Sequence, residues 1–357
     1  MSQKGFFEGR KGEMVLCNAW SRLRRFCQVK QVKKLSTSLV VVLVVASCQG
    51  SQDPKNREKA TLGVSKSFLS IPAFVAKSTG YFSREGIDLT VKECSSGKTA
   101  TDALFRGEAD ISTVADMPVV LESFKRKDFC IFGTFCRSYR MVKLIARKDS
   151  GIRTGADLKG KKVGVNFGTS SHFFLGAFLM HHMLSVSDIK MVNMRTVDMP
   201  VALRNNQVDA ISVWQPYDKK ALRLLGDNAV EFPAGEIYCT TFNLVTTKSF
   251  AKEHPEVLGK FLRAINNAVT FIQKNREISQ DIIAKTFKLD IDSVRAAWDD
   301  FVFGLSLDQA LLVSWEEIAR WSIQNNFVPK RKIPNYLNYI CLGPLEAVKP
   351  ESISIIH

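Results

Sequence analysis

The polar residues with the clearest chemistry follow apolar runs that the sequence predicts as strands. Gly168-Thr169-Ser170-Ser171 lies between one such run and a helical segment. The first N–H groups of a helix have no partner within the helix, and here they would lie beside two or three hydroxyls. Such donors bind carboxylates, sulfonates, nitrate or phosphate. The alternative is that these hydroxyls only cap their own helix. Ser95-Ser96-Gly97, after an earlier run, permits the same two interpretations.

Other side chains at predicted strand ends suit the organic part of a ligand. Trp214 ends an apolar run just before Pro216, and we favour stacking on a ligand over burial in the core. Asp116 and Asp198 would pair with an amine or another hydrogen-bond donor, but a helix cap is the favoured role for either alone. Phe68 fits the core and a cleft equally well.

The histidines are not arranged for metal binding or catalysis. His172, His181 and His182 fall on or near one predicted helix, with no carboxylate or cysteine at the spacing of a metal site. We therefore predict no catalytic residue, no metal and no cofactor.

Alternating short apolar runs and amphipathic segments position these residues, which is the pattern of an α/β fold. The pattern predicts strands at 61–64, 87–91, 109–113, 141–146, 162–165, 191–196, 210–213 and 243–246. It predicts helices at 71–79, 99–105, 171–184, 201–205 and 255–274. Ser314 and Glu317 are interpreted as a capping box that begins a helix through Ile323.

A helix, a turn and a strand occur twice in the chain. Residues 103–112 (ALFRGEADIS) are echoed by residues 202–212 (ALRNNQVDAIS). Each copy has a Gly or Asn able to take positive φ, then an Asp and an apolar strand. We interpret the copies as belonging to separate α/β lobes, with a ligand cleft between the carboxyl ends of their strands. Chance similarity is the alternative.

Composition and charge favour a globular protein of two lobes. The chain has 357 residues, of which 45% are hydrophobic and 24% charged. The net charge of +15 suggests nucleic-acid binding at first. Residues 1–47 supply +7 of this charge, however, and the other bases are scattered apart from Lys330-Arg331-Lys332. We therefore favour a solvated, mildly basic surface and no nucleic-acid partner. No stretch reaches the roughly 18 uninterrupted apolar residues of a transmembrane helix.

Residues 1–47 predict a lipoprotein signal peptide. A basic segment, Arg22 to Lys34, precedes the apolar run 35–46 (LSTSLVVVLVVA) and a small residue. Val45-Ala46-Ser47-Cys48 resembles the lipobox of bacterial lipoproteins, in which the cysteine is lipidated; a signal that merely ends near a cysteine is the alternative. Residues 48–58 would form a tether. Met1 and Met14 both remain possible starts.

The cysteines beyond Cys48 predict neither zinc nor a redox dithiol. They are odd in number and contain no C-x-x-C pair, so buried thiols are expected. A Cys130–Cys136 disulfide is the alternative in an oxidising compartment. The five residues are Cys94, Cys130, Cys136, Cys239 and Cys341.

Four segments together resemble the nitrate/sulfonate/taurine-type substrate-binding proteins of ABC importers. They are 76–89 (AKSTGYFSREGIDL), 107–111 (GEADI), 157–165 (DLKGKKVGV) and 213–217 (VWQPY). The resemblance implies the type II periplasmic-binding-protein fold, in which two α/β lobes enclose a ligand cleft. Lobe 1 would combine residues 59–148 with 241–357, and lobe 2 would be residues 149–240.

The resemblance also implies the site, because loops at the strand ends line the cleft in this family. Many relatives carry Glu after the Trp, where this chain has Gln215, which makes the cleft less acidic and puts a strongly cationic ligand in doubt. The implied ligand-binding residues are Ser67, Phe68, Ser96, Gly97, Ala115, Asp116, Gly168, Thr169, Ser170, Asp198 and Trp214.

The predicted function is solute capture for import. The protein would bind nitrate, a sulfonate, taurine or a similar organic anion, close around it by a hinge, and deliver it to an ABC permease without chemical change. It would be a monomer in the cell envelope, on the extracytoplasmic, periplasmic side, anchored through lipid on Cys48 to the inner or the outer membrane.

Two alternative functions stay open. One is a pyrimidine-precursor binder or a related synthase on the same fold. That synthase uses its own histidine and a pyridoxal cofactor, and it carries a cysteine-rich run that this chain lacks. The other is a ligand-sensing input protein.

Overall fold

Two β-sheets organise the chain in the computed structural model, which describes residues 57–232, 235, 237–330 and 332–356. Cys48, the signal peptide and most of the tether predicted at 48–58 lie outside these residues. Within the described ranges, no helix combines the length and the apolar character that crossing a bilayer would need. Both sheets belong to the compact unit Gln52–His357.

Eleven strands make up the two sheets of the described chain. They are β1 (Glu58–Ser65), β2 (Ile87–Cys94), β3 (Ile111–Ala115), β4 (Phe129–Ser138), β5 (Val142–Arg147), β6 (Lys162–Val165), β7 (Lys190–Asn193), β8 (Ala210–Trp214), β9 (Ala229–Phe232), β10 (Thr240–Thr247) and β11 (Val302–Ser306). The first sheet has the order β11-β4-β10-β3-β1-β2, and the second has the order β7-β6-β8-β5-β9. Parallel pairing joins β1 to β2 and β3, and β6 to β7 and β8.

Helices pack on both sheets. They are α1 (Ile71–Ser78), α2 (Tyr81–Arg84), α3 (Gly97–Phe105), α4 (Asp116–Ser123), α5 (Ser170–His181), α6 (Met199–Arg204), α7 (Tyr217–Leu225), α8 (Lys248–Glu253), α9 (Pro255–Lys274), α10 (Arg276–Phe287), α11 (Ile291–Ala297), α12 (Gln309–Gln324) and α13 (Gly343–Glu346). Every helix and strand predicted from the sequence is present; the strand 162–165 and the helix 255–274 have the predicted ends, and the ends of the others are shifted. The predicted helix 255–274 is confirmed, and its apolar face, including Leu258, Leu262 and Ile265, is buried.

The repeated unit occupies the same place in each sheet. Gly107 and Asn206 both have positive φ, at 72° and 62°, and end α3 and α6. Asp110 then accepts a hydrogen bond from the N–H of Thr61 in β1 (2.7 Å), and Asp209 accepts one from the N–H of Lys162 in β6 (2.8 Å). The two copies therefore lie in separate sheets, which agrees with their interpretation as parts of separate lobes.

Two predictions about single elements are wrong. Ser314 lies inside α12, which begins after Asp308, so Ser314 and Glu317 do not form a capping box. β5 pairs antiparallel with β8 and β9, so this strand lies in the second sheet. It was predicted to belong to lobe 1 with the rest of residues 59–148. We keep the division into lobes as a proposal, with the first crossover at 139–141 and the second between β9 and β10. Lobe 1 then denotes the first sheet with its helices, and lobe 2 the second.

One disulfide joins residues that are distant in sequence. Cys130 of β4 is bonded to Cys341, and the intervening separation is 211 residues. Ile340 forms a parallel bridge with Ile131, and the N–H of Cys341 donates to the carbonyl of Ile131 (2.8 Å), which aligns the two cysteines. The expectation of buried thiols is therefore wrong for this pair. The alternative Cys130–Cys136 bond is wrong too, since Cys136 is a buried free thiol.

Candidate functional site

A cleft lies where the carboxyl ends of the parallel strands of both sheets meet. Residues that follow β1, β2 and β3 line it from lobe 1, and the start of α5 with the end of β8 lines it from lobe 2. Its space is about 490 Å³, counting the solvent at its mouth. The lining is Ser65, Lys66, Ser67, Ser95, Ser96, Gly97, Lys98, Ala115, Pro118, Met141, Thr169, Ser170, Trp214, Tyr217 and Phe242.

The start of α5 contributes hydrogen-bond donors to the cleft. β6 ends at Val165, and Gly168, with φ of 75°, allows the turn into the helix. Thr169 occupies the N-cap position but makes no cap hydrogen bond, and its hydroxyl donates to the carbonyl of Asn166 (2.7 Å). The first turn of α5 therefore keeps N–H groups that its N-cap side chain does not satisfy.

The start of α3 contributes hydroxyls but is capped. The Ser96 hydroxyl accepts a hydrogen bond from the N–H of Thr99 (3.2 Å), and the Thr99 hydroxyl accepts one from the N–H of Ser96 (3.0 Å). A Cβ at Gly97 would lie 3.0 Å from the Cα of Val114, so the helix can approach β3 only with glycine here. Of the two interpretations of this segment, capping holds, and the segment also lines the cleft.

Two lysines give the cleft its charge. Lys66 pairs with Glu93 (2.9 Å) and Lys98 with Asp102 (3.1 Å), and the lysine side chains are 39% and 43% exposed. Among the described lining residues there is no carboxylate. The predicted set of ligand-binding residues contains neither lysine, although each stands next to a predicted site residue in the same loop.

Aromatic and aliphatic side chains form the rest of the lining. Trp214 is buried, with 8% of its surface exposed, and lies at the end of β8. Tyr217, Phe242 and Met141 line the same space from three other segments. The cleft therefore offers an apolar surface beside its cations and hydroxyls, as a ligand with a charged head and an organic body requires.

Seven of the predicted site residues line the cleft, and four do not. Phe68 is packed in the core of lobe 1, with its ring 5.6 Å from that of Phe301. Asp198 is paired with Arg195 (2.7 Å) on the surface, and it makes no cap hydrogen bond. Gly168 shapes the turn before Thr169 without lining the space itself. The seven are Ser67, Ser96, Gly97, Ala115, Thr169, Ser170 and Trp214.

Asp116 is the fourth residue outside the lining. It is fully buried, and it accepts hydrogen bonds from the Tyr238 hydroxyl, the N–H of Met117 (2.8 Å) and the N–H of Thr241 (3.3 Å). Burial raises its pKa to about 6. The Tyr238 hydroxyl also interacts with that of Ser170. Asp116 thus ties the second crossover to α4 and, through Tyr238, to the start of α5.

His172 is a packing residue of α5. Its Nδ1 accepts a hydrogen bond from the N–H of Gly168 (3.2 Å), and its ring stacks on Phe167 (4.7 Å) and meets Trp321 and Phe327 edge-on. Burial lowers its pKa to about 4, so the imidazole is neutral near pH 7. It fixes the turn before the helix and contacts α12 of lobe 1.

Gln215 joins the two lobes next to the cleft. Its Nε2 donates to the Oδ2 of Asp300 (2.8 Å), and Asp300 follows α11 in lobe 1. Gln215 is buried, with 1% of its surface exposed. The residue that departs from the pattern of the resembling family is therefore a contact between lobes and not a ligand-facing group.

Comparison with known proteins identifies relatives of this chain. A family model described as "NMT1/THI5 like" matches residues 67–278. The "Putative aliphatic sulfonates-binding protein" of Bacillus subtilis is 29% identical over 72% of this chain and 79% of its own length. The 4-amino-5-hydroxymethyl-2-methylpyrimidine phosphate synthase of Schizosaccharomyces pombe is 23% identical over 75% of this chain and 81% of its own length.

Solved structures share the fold. The periplasmic aliphatic sulphonate binding protein SsuA of Escherichia coli has a TM-score of 0.68 and 23% identity, covering 79% of this chain and 97% of that one. A Candida albicans protein described as having the generic periplasmic binding protein structural fold has a TM-score of 0.64 at 12% identity, covering 83% of this chain and 96% of that one. The predicted type II periplasmic-binding-protein fold and the resemblance to sulfonate-binding proteins are confirmed.

Proposed function

Because the chain belongs to the NMT1/THI5-like family, we propose that it captures a small organic anion in the cleft and delivers it to the permease of an ABC importer. The observation that carries this proposal is the lining of the cleft. Lys66, Lys98, several hydroxyls and the start of α5 face a space whose described lining contains no carboxylate. Such a site attracts anions and disfavours cations.

The solute we favour is an alkyl or aryl sulfonate. Its sulfonate group would accept hydrogen bonds at the start of α5 and from Ser67, and its organic part would contact Trp214 and Phe242. A zwitterion such as taurine fits less well, because its ammonium group finds no carboxylate in the described lining. The similarity to the putative aliphatic sulfonates-binding protein of Bacillus subtilis supports a sulfonate as the solute.

We place the protein at the extracytoplasmic face of the cell envelope as a lipid-anchored monomer. The basic and apolar segments before Cys48 support an export signal with a lipidation site. Lipid on Cys48 would hold the captured solute close to the permease and raise its effective concentration there.

Solute binding is tested by calorimetry and thermal shift on the purified protein. The panel is nitrate, taurine, bicarbonate, alkanesulfonates, an arylsulfonate and a pyrimidine. We expect the sulfonates to bind best and Lys66→Gln/Lys98→Gln to weaken them by about tenfold or more. Lys77→Gln/Lys190→Gln is the matched control, since both residues are exposed and lie outside the cleft. Binding of a cationic or neutral solute alone would contradict the proposal.

A related synthase activity is the second candidate, favoured by the similarity to the Schizosaccharomyces pombe enzyme. Binding without turnover is the better supported function, because the described lining holds no histidine or cysteine and His172 is enclosed by aromatic rings. Incubation with pyridoxal phosphate separates the two. Formation of a pyrimidine product would favour the synthase.

A further inference from the structure

A second groove adjoins the cleft, and both lobes form it. One wall is α7 of lobe 2, and the other runs from Lys288 to Ala297 in lobe 1. Tyr217 lines both this groove and the cleft. Its space is about 900 Å³, counting open solvent. We call it the inter-lobe groove.

The inter-lobe groove carries an excess of positive charge. Lys219, Lys220 and Arg223 line it from α7, and Lys288 lines it from lobe 1. None of the four forms an ion pair within 4 Å in the described part of the chain. The carboxylate in the lining, Asp290, is the N-cap of α11 and accepts hydrogen bonds from the N–H (2.9 Å) and the hydroxyl (3.1 Å) of Ser293. It also attracts Arg223 across the groove, so it offsets one of the four positive charges and leaves three in excess.

The charges lie on opposite sides of the boundary between the lobes. Lys288 and the three cations of α7 repel one another, and Asp290 offsets this repulsion only in part. The hydrogen bond from Gln215 to Asp300 (2.8 Å) crosses the same boundary beside the groove. Because the two walls belong to different lobes, the distance between their cations depends on how the lobes are arranged.

The spacing of the cations favours an extended occupant. Lys219 and Arg223 are one helical turn apart, about 6 Å along the axis of α7, and Lys288 lies on the facing wall. Four cations distributed along one helix and its facing wall match a row of carboxylates better than they match one small anion. A partner surface with several Asp or Glu side chains has the complementary chemistry.

We propose that the inter-lobe groove is a docking surface for an acidic segment of a partner protein, and that this surface is complete only when the lobes are closed. The second part rests on the proposed function, since the solute is what closes the lobes. The permease would then distinguish the loaded protein from the empty one by the geometry of the groove.

The test measures binding of a fluorescent hexaglutamate peptide to the full chain by anisotropy at low salt. We expect the best sulfonate of the panel to tighten this binding by about fivefold or more. Lys219→Gln/Lys220→Gln/Arg223→Gln should weaken it by at least about tenfold without changing the solute affinity. The matched control Lys77→Gln/Lys190→Gln/Lys252→Gln removes the same charge from exposed sites elsewhere and should change it by less than about twofold.

Four results would overturn the proposal. Equal peptide affinity of the groove variant and the wild type would show that the groove does not bind acidic chains. Loss of solute affinity in the groove variant would assign the groove to the solute path. Groove-dependent binding to phosphatidylglycerol vesicles but not to the peptide would assign it to lipid. A peptide affinity that is the same with and without solute would show that docking does not depend on closure of the lobes. If no solute binds, the proposed function fails, yet the peptide titration of the variants still decides whether the groove binds acidic chains.

Discussion

The two cleft lysines are shared between a carboxylate of their own lobe and the ligand site. Glu93 and Asp102, their partners, are 54% and 34% exposed, so water screens both ion pairs strongly. Each pair orients a lysine, and the lysine keeps enough positive charge to attract an anion in the cleft, where there is less water. We infer that Lys66 and Lys98 act as positioned cations rather than as structural salt bridges.

Substitution of Trp214 tests whether this side chain contacts the organic part of the solute. Trp214→Ala should lower the affinity of the best sulfonate by more than about tenfold, because it removes the largest apolar side chain among the lining residues. Trp214→Phe, which keeps a ring, should retain most of the affinity. Calorimetry gives the affinity, and an unchanged far-UV spectrum shows that the fold persists. Unaltered affinity of the Ala variant would remove Trp214 from the site.

Asp116 makes stability depend on pH in a predictable direction. Its folded pKa of about 6 lies above the ordinary value of 3.8, because burial disfavours the carboxylate. The stabilisation that protonated Asp116 provides is complete below about pH 3.8 and is lost as pH rises through about 6. The total is about 3 kcal/mol, at roughly 1.4 kcal/mol per pKa unit.

Asp116→Asn should therefore remove this dependence. The stability of the wild type relative to this variant should fall between pH 4 and pH 7.5, as measured by urea unfolding at several pH values. Asp198→Asn, the same change at an exposed position outside the cleft, is the control. A constant difference between wild type and Asp116→Asn would mean that Asp116 does not titrate in this range.

Local pattern predicted seven of the fifteen described lining residues but did not separate the residues that line the cleft from those that support it. The loops after β1, β2, β3 and β6 were predicted, so Ser67, Ser96 and Thr169 were found in the lining. Whether Asp116 faces the cleft or the crossover depends on Tyr238, a contact between residues 122 positions apart. No spacing rule contains such a contact.

At the scale of elements, β4 is a strand that the sequence pattern did not predict. Nine of its ten residues are buried, and the strand lies between β11 and β10, so it lacks the alternation that marks a half-exposed strand. β5 was predicted as a strand but assigned to the wrong sheet, because its buried residues would fit either one. Sheet membership is decided by pairing with β8 and β9, which is a long-range property.

The disulfide fixes the C-terminal segment to β4. Cys341→Ser should lower the free energy of unfolding by about 2–5 kcal/mol, because the bond closes a very long loop in the unfolded chain. Neither bonded cysteine lines the cleft, so solute affinity should not change. Urea unfolding with and without reductant measures the effect. Cys94→Ser, at a partly exposed free thiol, is the control. Equal stability of the reduced and oxidised wild type would contradict this prediction.

At the scale of the molecule, the two lobes are joined by two crossovers and by contacts that flank the cleft. His172 and Trp321 pack together on one side, and Gln215 and Asp300 form a hydrogen bond beside the inter-lobe groove. The first contact is apolar and tolerates small shifts. The second requires a donor at residue 215 and an acceptor at residue 300, so we infer that the neutral amide of Gln215 helps to hold the two lobes together.

Gln215→Glu should open the protein at neutral pH. A carboxylate at this buried position would face Asp300, and Arg140, 3.9 Å from Asp300, would offset the repulsion only in part. A smaller closed fraction lowers the apparent solute affinity in proportion, and we expect about tenfold. Small-angle scattering with solute should give a larger radius of gyration than for the wild type. Gln215→Glu/Asp300→Asn, which places an amide donor opposite the new carboxylate, should recover both the affinity and the compact form. A Gln215→Glu variant that binds and closes like the wild type would show that this hydrogen bond does not control closure.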